Sequence, residues 1–265
     1  METRKPSHAG AFYPKEKSEL DKMLAAMLRK SKPKKLAGKL RALIVPHAGF
    51  IYSGEIAAFA FNALKEAKPG RVVLFGPSHY AHLVGAYGFV MPWETPLGTV
   101  EVQKAALETF DGDKEHSLEV ELPFLQTILK KFEFVPVIYG EIKPQELLEA
   151  VGGLVVKNTV LVASSDLSHY LPYQNAKIVD LTTISAILQL DFEEFMHSGD
   201  ACGKTGIAAL IILAKKLNWN PVLLDYRNSG DTAGDRENVV GYAAIAFMED
   251  EKPGAVLRSK KSLLG

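Results

Sequence analysis

Residues 71–79 read RVVLFGPSH. The apolar run Val72–Phe75 follows a single arginine and is closed at once by Gly76-Pro77. A short run rich in valine and leucine, bounded by turn residues, reads as a strand buried on both faces. Two other stretches repeat the pattern. Leu40 to Val45 (LRALIV) stops at Pro46, and Thr159 to Ala163 (TVLVA) stops at Ser164-Ser165. Weaker strand patterns lie at Gly85–Met91, Phe132–Tyr139, Pro221–Tyr226 and Val239–Phe247. Helical periodicity separates them. Leu20, Met23, Leu24 and Met27 mark one face of a helix over Lys17–Arg29. Further helices are expected over Gly54–Ala67, Leu118–Lys131, Gln145–Val156 and Gly206–Leu217. Asp191 with Glu194 is expected to start another. This alternation predicts an α/β fold of three layers, α/β/α, around a mainly parallel or mixed sheet.

Composition narrows the function classes. The chain has 265 residues, 47% of them hydrophobic and 23% charged, enough for a sizeable core without a disulfide or structural metal. Lys+Arg and Asp+Glu are both 31, so no global field favours nucleic acid or anionic lipid. Cys202 is the single cysteine, which excludes an internal disulfide and a Cys-rich zinc site and fits a reducing cytoplasm. The opening METRKPSHAGAFYP lacks the apolar run of a signal peptide. No apolar stretch reaches the roughly 18 to 20 residues of a membrane span. The reading is one domain over residues 1–249 and a polar, basic tail over 250–265.

The chemistry gathers where the three strongest strands stop. They deliver Pro46-His47-Ala48-Gly49, Gly76-Pro77-Ser78-His79 and Ser164-Ser165-Asp166-Leu167-Ser168-His169. In open α/β sheets, ligands bind beyond the carboxyl ends of the strands, and the glycines and prolines here stiffen the turns. Neutral imidazole suits iron, copper and zinc, and two histidines with a carboxylate is the usual non-haem Fe(II) set. His47 and His79 are the expected pair. The third ligand is sought in Asn228–Thr232, after the strand candidate at Pro221–Tyr226, with Asp231 the best by chemistry. Asp166 and His169 form an acid/base pair on one cavity if their offset of three starts a helical turn; otherwise Asp166 caps a helix. His116 is read equally as a polar cap and as a pocket residue. Cys202, in Ala201-Cys202-Gly203-Lys204, stands at a helix start that would lower its pKa, although a free cysteine is more often a small buried hydrophobe. No Walker A loop, G-x-G-x-x-G or G-x-S-x-G is present.

These motifs together resemble the Memo family. The matching stretches are Gly10–Pro14, Val45–Gly49 with Tyr52-Ser53-Gly54, Gly76–His79, Glu115–Glu119 running to Leu122-Pro123-Phe124, Ser164–Tyr170, Cys202-Gly203 and Val239–Ala244. The resemblance implies a fold like that of class III extradiol dioxygenases, which cleave catechol rings with non-haem Fe(II). It implies His47 and His79 as metal ligands and His169, with Asp166, as the acid/base group. His116, Cys202, Thr232, Tyr52 and Ser78 are the further pocket candidates. Animal members are reported to bind reduced copper or iron and to act in redox and motility signalling, and they place a ligand cysteine near the position of Thr232. Here Asp231 or water would substitute, and a carboxylate favours Fe(II) over Cu(I). Prokaryotic members often accompany a radical-SAM protein.

Three functions follow as expectations: a non-haem Fe(II)- or copper-dependent redox or dioxygenase-like protein; a non-catalytic protein that binds a small molecule or peptide in the same pocket; and a partner of a radical-SAM enzyme.

Overall fold

The computed structural model describes residues 2–31, 36–112 and 114–250. The tail expected over 250–265 lies outside them apart from Asp250. The strands, in chain order, are β1 (Lys39–Val45), β2 (Arg71–Pro77), β3 (Ala86–Gly88), β4 (Trp93–Thr95), β5 (Gly98–Val100), β6 (Glu108–Thr109), β7 (Glu133–Tyr139), β8 (Thr159–Ser164), β9 (His169–Leu171), β10 (Trp219–Asn228) and β11 (Val239–Glu249). A nine-stranded mixed sheet runs β10-β11-β1-β8-β2-β7-β3-β6, with β9 on the start of β11. Its centre, β1-β8-β2-β7, is parallel. β11 lies antiparallel to β1 and β10, and β3 antiparallel to β7.

The unbroken apolar runs are explained by helices on both faces. Leu43, Val45, Val72 and Leu74 pack on one side, with the helices Lys17–Lys30, Phe50–Ala67 and Leu122–Ile128. Their strand neighbours Ala42, Ile44, Val73 and Phe75 pack on the other, with Pro144–Gly152, Tyr173–Leu188, Phe192–Ser198 and Lys204–Leu217. Successive side chains of a strand point to opposite faces, so a strand covered twice has no polar side. The last of these helices sits close to the sheet through Gly206: a Cβ there would lie 2.6 Å from the Tyr139 hydroxyl. Among the described residues, no helix is long and apolar enough to cross a membrane.

The helices depart from expectation in two places. The helix expected over Leu118–Lys131 is two, His116–Glu119 and Leu122–Ile128. Pro123 lies in the first turn of the second, where its missing N–H costs nothing, whereas in a helix interior it would break the ladder. The helix Tyr173–Leu188 was not anticipated. Its apolar residues fall on both sides: Ala176, Ile184 and Ile187 are buried, while Ile178 and Leu181 are exposed. No single stripe therefore advertises it.

Candidate functional site

The sheet order decides what meets. β8 lies between β1 and β2, with Val45 opposite Ser164 and Phe75 opposite Ala163. The turns after all three strands consequently share one edge. His47 follows the end of β1, and its backbone N–H donates to Asp166 Oδ1 at 2.8 Å. Its Nδ1 lies 2.7 Å from Ser164 Oγ, which donates to the Ser117 carbonyl at 2.5 Å. His79 follows β2; its N–H donates to Glu115 Oε2 at 2.6 Å, and its Nδ1 lies 2.9 Å from Glu115 Oε1. His116 opens the short helix His116–Glu119, for which the Glu115 side chain serves as cap by accepting the Ser117 N–H.

Three imidazoles converge. Ring centroids are 5.2 Å apart for His47 and His79, 5.3 Å for His47 and His116, and 4.4 Å for His79 and His116. One ring nitrogen from each falls within 4.8 Å of the others. His47 is 1% exposed. Burial first, then the neighbouring His116, His79 and His169, hold its pKa well below the usual imidazole range. Burial and His79 lower His116 to about 4, against the pull of Glu115. Both rings are thus neutral at pH 7, with lone pairs available. Acids behind them divide by their partners. Burial pushes Glu115 up, but the hydrogen bonds from His79 and Ser117 outweigh it and leave that carboxyl at about 2. Burial raises Asp166 to about 7 despite the N–H groups of His47 and Ala48. Burial, then Asp166, raises Glu121 well above the carboxylate range.

The trio floors a cavity of about 640 Å³ whose lining includes Phe12, Tyr52, Asp166, His169, Tyr170 and Tyr242. Asp166 and His169 share this cavity as expected, but not through a helical turn. Residues 165–168 carry no regular structure, and His169 begins β9, opposite Val240. Asp166 caps no helix; it ties the turn after β1 to the turn after β8. His169 is half-buried, and burial lowers its pKa. Tyr170 beside it is 72% exposed and holds a left-handed φ of 57°, a costly conformation for a bulky residue.

Asp231, expected as third ligand, is not brought to the imidazoles. Its Oδ1 accepts from the Tyr173 hydroxyl at 2.6 Å and its Oδ2 from Asn228 N–H at 3.0 Å, closing a capping box on the turn Ser229–Thr232. Thr232 also turns to its own loop, its hydroxyl facing the Ser229 carbonyl at 3.4 Å. Ser229, Ala233, Asp235 and Asn238 are the residues of this segment that reach the cavity. Ser78 clasps its own turn by donating to the Ala81 carbonyl at 2.7 Å. Cys202 lies behind the trio, Sγ 3.3 Å from His47 Nε2 and accepting the Asp166 N–H at 3.2 Å. Burial, then Asp166, raises its thiol to about 12, so the activating effect expected from a helix start is overridden. Sequence reasoning left unassigned the roles of Glu115 and Glu121. The Glu115-His116 pair was the available signal for the first; a glutamate inside an amphipathic run gave none for the second.

The family model for Memo-like proteins matches residues 4–246. The chain belongs to the Memo family. Curated Memo-family relatives include a MEMO1 family protein of Nitrosopumilus maritimus, 35% identical over 92% of this chain and 99% of its own length. One from Methanosarcina acetivorans is 36% identical over 92% and 99%, and one from Thermoplasma acidophilum is 34% identical over 91% and 97%. The Memo match takes in every residue named above as lining the cavity.

Proposed function

We propose that this Memo-family protein binds one transition-metal ion, Fe(II) or copper, on His47, His79 and His116, and presents it to a small molecule in the cavity. The observation that carries the reading is the trio itself: one ring nitrogen from each imidazole lies within 4.8 Å of the others, with His116 Nδ1 buried and without a hydrogen-bond partner among the described residues. Buried polar atoms are rarely left unmatched, and imidazole suits iron and copper. When bound, such an ion would supply Lewis-acid or redox chemistry to a ligand in the cavity. No lysine or arginine is among the described residues that line the cavity, so ligand oxygens find no side-chain cation there. His169 is placed to take a proton from a ligand hydroxyl. Asp166, near 7, can hold or release one at neutral pH. Tyr52, Phe12 and Tyr242 supply apolar walls.

The test is anaerobic loading of purified protein with Fe(II) or Cu(I), followed by removal of free metal and elemental analysis. About one equivalent is expected to remain in the wild type and in His169→Ala, and to be lost in His47→Ala and His79→Ala. Equal retention by all four proteins, or by none, contradicts the reading.

A further inference from the structure

We propose that Glu115 is the positioning residue that fixes the ring of His79, setting its tautomer and aim before any ligand arrives. The inference deepens the metal-site reading and rests on it for its purpose, although the hydrogen bonds that carry it do not.

Glu115 is 3% exposed. Its two oxygens make three contacts. Oε2 accepts the His79 backbone N–H at 2.6 Å, while Oε1 meets His79 Nδ1 at 2.9 Å and the Ser117 N–H at 2.9 Å. An ionised carboxylate only accepts hydrogen bonds, so the ring nitrogen facing it carries a proton. Neutral His79 is therefore the Nδ1–H tautomer, with its lone pair on Nε2. The same Oε1 lies 3.5 Å from His116 Nδ1 but makes no hydrogen bond to it, so the carboxylate's ring contact is to His79 alone. A helix cap requires only the Ser117 contact. The other two reach across to a turn 36 residues earlier in the chain and fix both its backbone and its ring. Such fixing is needed because His79 is the most accessible of the trio, and a ring on a strand-end turn is otherwise free to rotate. Glu115 is itself held, since Arg4 Nη2 donates to its carbonyl at 2.8 Å. Carboxylate partners of ligand histidines fix tautomer and orientation, and their loss costs roughly 10–100-fold in metal affinity.

The experiment compares full-length wild type, Glu115→Gln, Glu115→Asp and His79→Ala. Long-range ¹H–¹⁵N spectra of the metal-free proteins read the His79 tautomer; Co(II) titration reads affinity. Expected are Nδ1–H in the wild type, a mixed or Nε2–H tautomer in Glu115→Gln, and Co(II) binding weakened roughly 10–100-fold in that variant. Glu115→Asp, which keeps the charge with a shorter reach, should fall between. A wild-type Nε2–H tautomer overturns the proposal even if the variants fail to fold. So does Glu115→Gln with an unchanged tautomer and affinity within about twofold of wild type, a loss only in melting temperature being the mark of a merely structural cap. Wild type that takes up no Co(II), Fe(II) or Cu(I) sinks the metal reading instead, while the tautomer still decides the role of Glu115.

Discussion

The single turn His116–Glu119 separates two buried polar clusters that are completed in opposite ways. At one end, Glu119 is fully buried and saturated: it accepts from Arg4 Nη1 at 2.7 Å, Ser7 N at 3.1 Å, His8 N at 2.8 Å and the Tyr13 hydroxyl at 2.8 Å. That cluster pins the N-terminal segment so that Phe12 walls the cavity. At the other end, His116 joins His47 and His79 with its Nδ1 unmatched. Glu121, equally buried, has one oxygen 3.3 Å from Ser164 Oγ and the other without a partner among the described residues. The two glutamates are equally buried; their satisfaction is not equal. A buried charge with every lone pair used is architecture, whereas lone pairs left over beside a cavity-lining trio are a place for something else.

The largest test of this contrast is Glu119→Ala. It strips the Arg4 guanidinium and three other donors of a buried acceptor, a loss of about 3–5 kcal/mol, read from urea unfolding at pH 7. A loss under about 1 kcal/mol would mean that the saturated cluster is not structural.

Asp166→Asn sharpens the other side through pH. Asp166 titrates near 7 in the fold against 3.8 for the free group. Between those values the folded state keeps a proton that the unfolded state has lost, so its stabilising contribution is complete below about 3.8 and fades as pH rises to about 7. Asparagine does not titrate. The stability of the variant relative to metal-free wild type should therefore rise by roughly 1.4 kcal/mol per pH unit across that window and level off above it. A difference that is flat with pH would show that Asp166 stays ionised throughout.

The smallest effect is expected from Glu121→Gln. Burial pushes the pKa of Glu121 well above the carboxylate range, and glutamine mimics the neutral acid. A change within about 1 kcal/mol at pH 7 is expected. A loss as large as that of Glu119→Ala would erase the distinction between the two glutamates.

What the sequence disclosed follows the same division. The apolar runs at 40–45, 71–75 and 159–163 named the parallel core, and their Gly, Pro and Ser endings placed His47, His79, Asp166 and His169 at one edge, because a doubly covered strand leaves polar chemistry nowhere else to go. The third imidazole was less legible. His116 owes its position to the turn His116–Glu119, which Arg4 anchors from 115 residues away in the chain, a contact no local pattern announces. Asp231 drew attention by its chemistry and its place after a strand, yet the spacing Asn228–Asp231 is also a capping pair, and the local hydrogen bonds won. The helix Tyr173–Leu188 escaped because its apolar residues lie on both sides.

The most direct measurement is an anomalous-scattering map from crystals of Fe(II)-loaded protein. One peak is expected about 2.0–2.2 Å from a ring nitrogen of His47, His79 and His116, with Asp231 still held by Tyr173 and Asn228. No peak among the three imidazoles, or a peak shared by His47, His79 and Asp231 with His116 turned away, would contradict it.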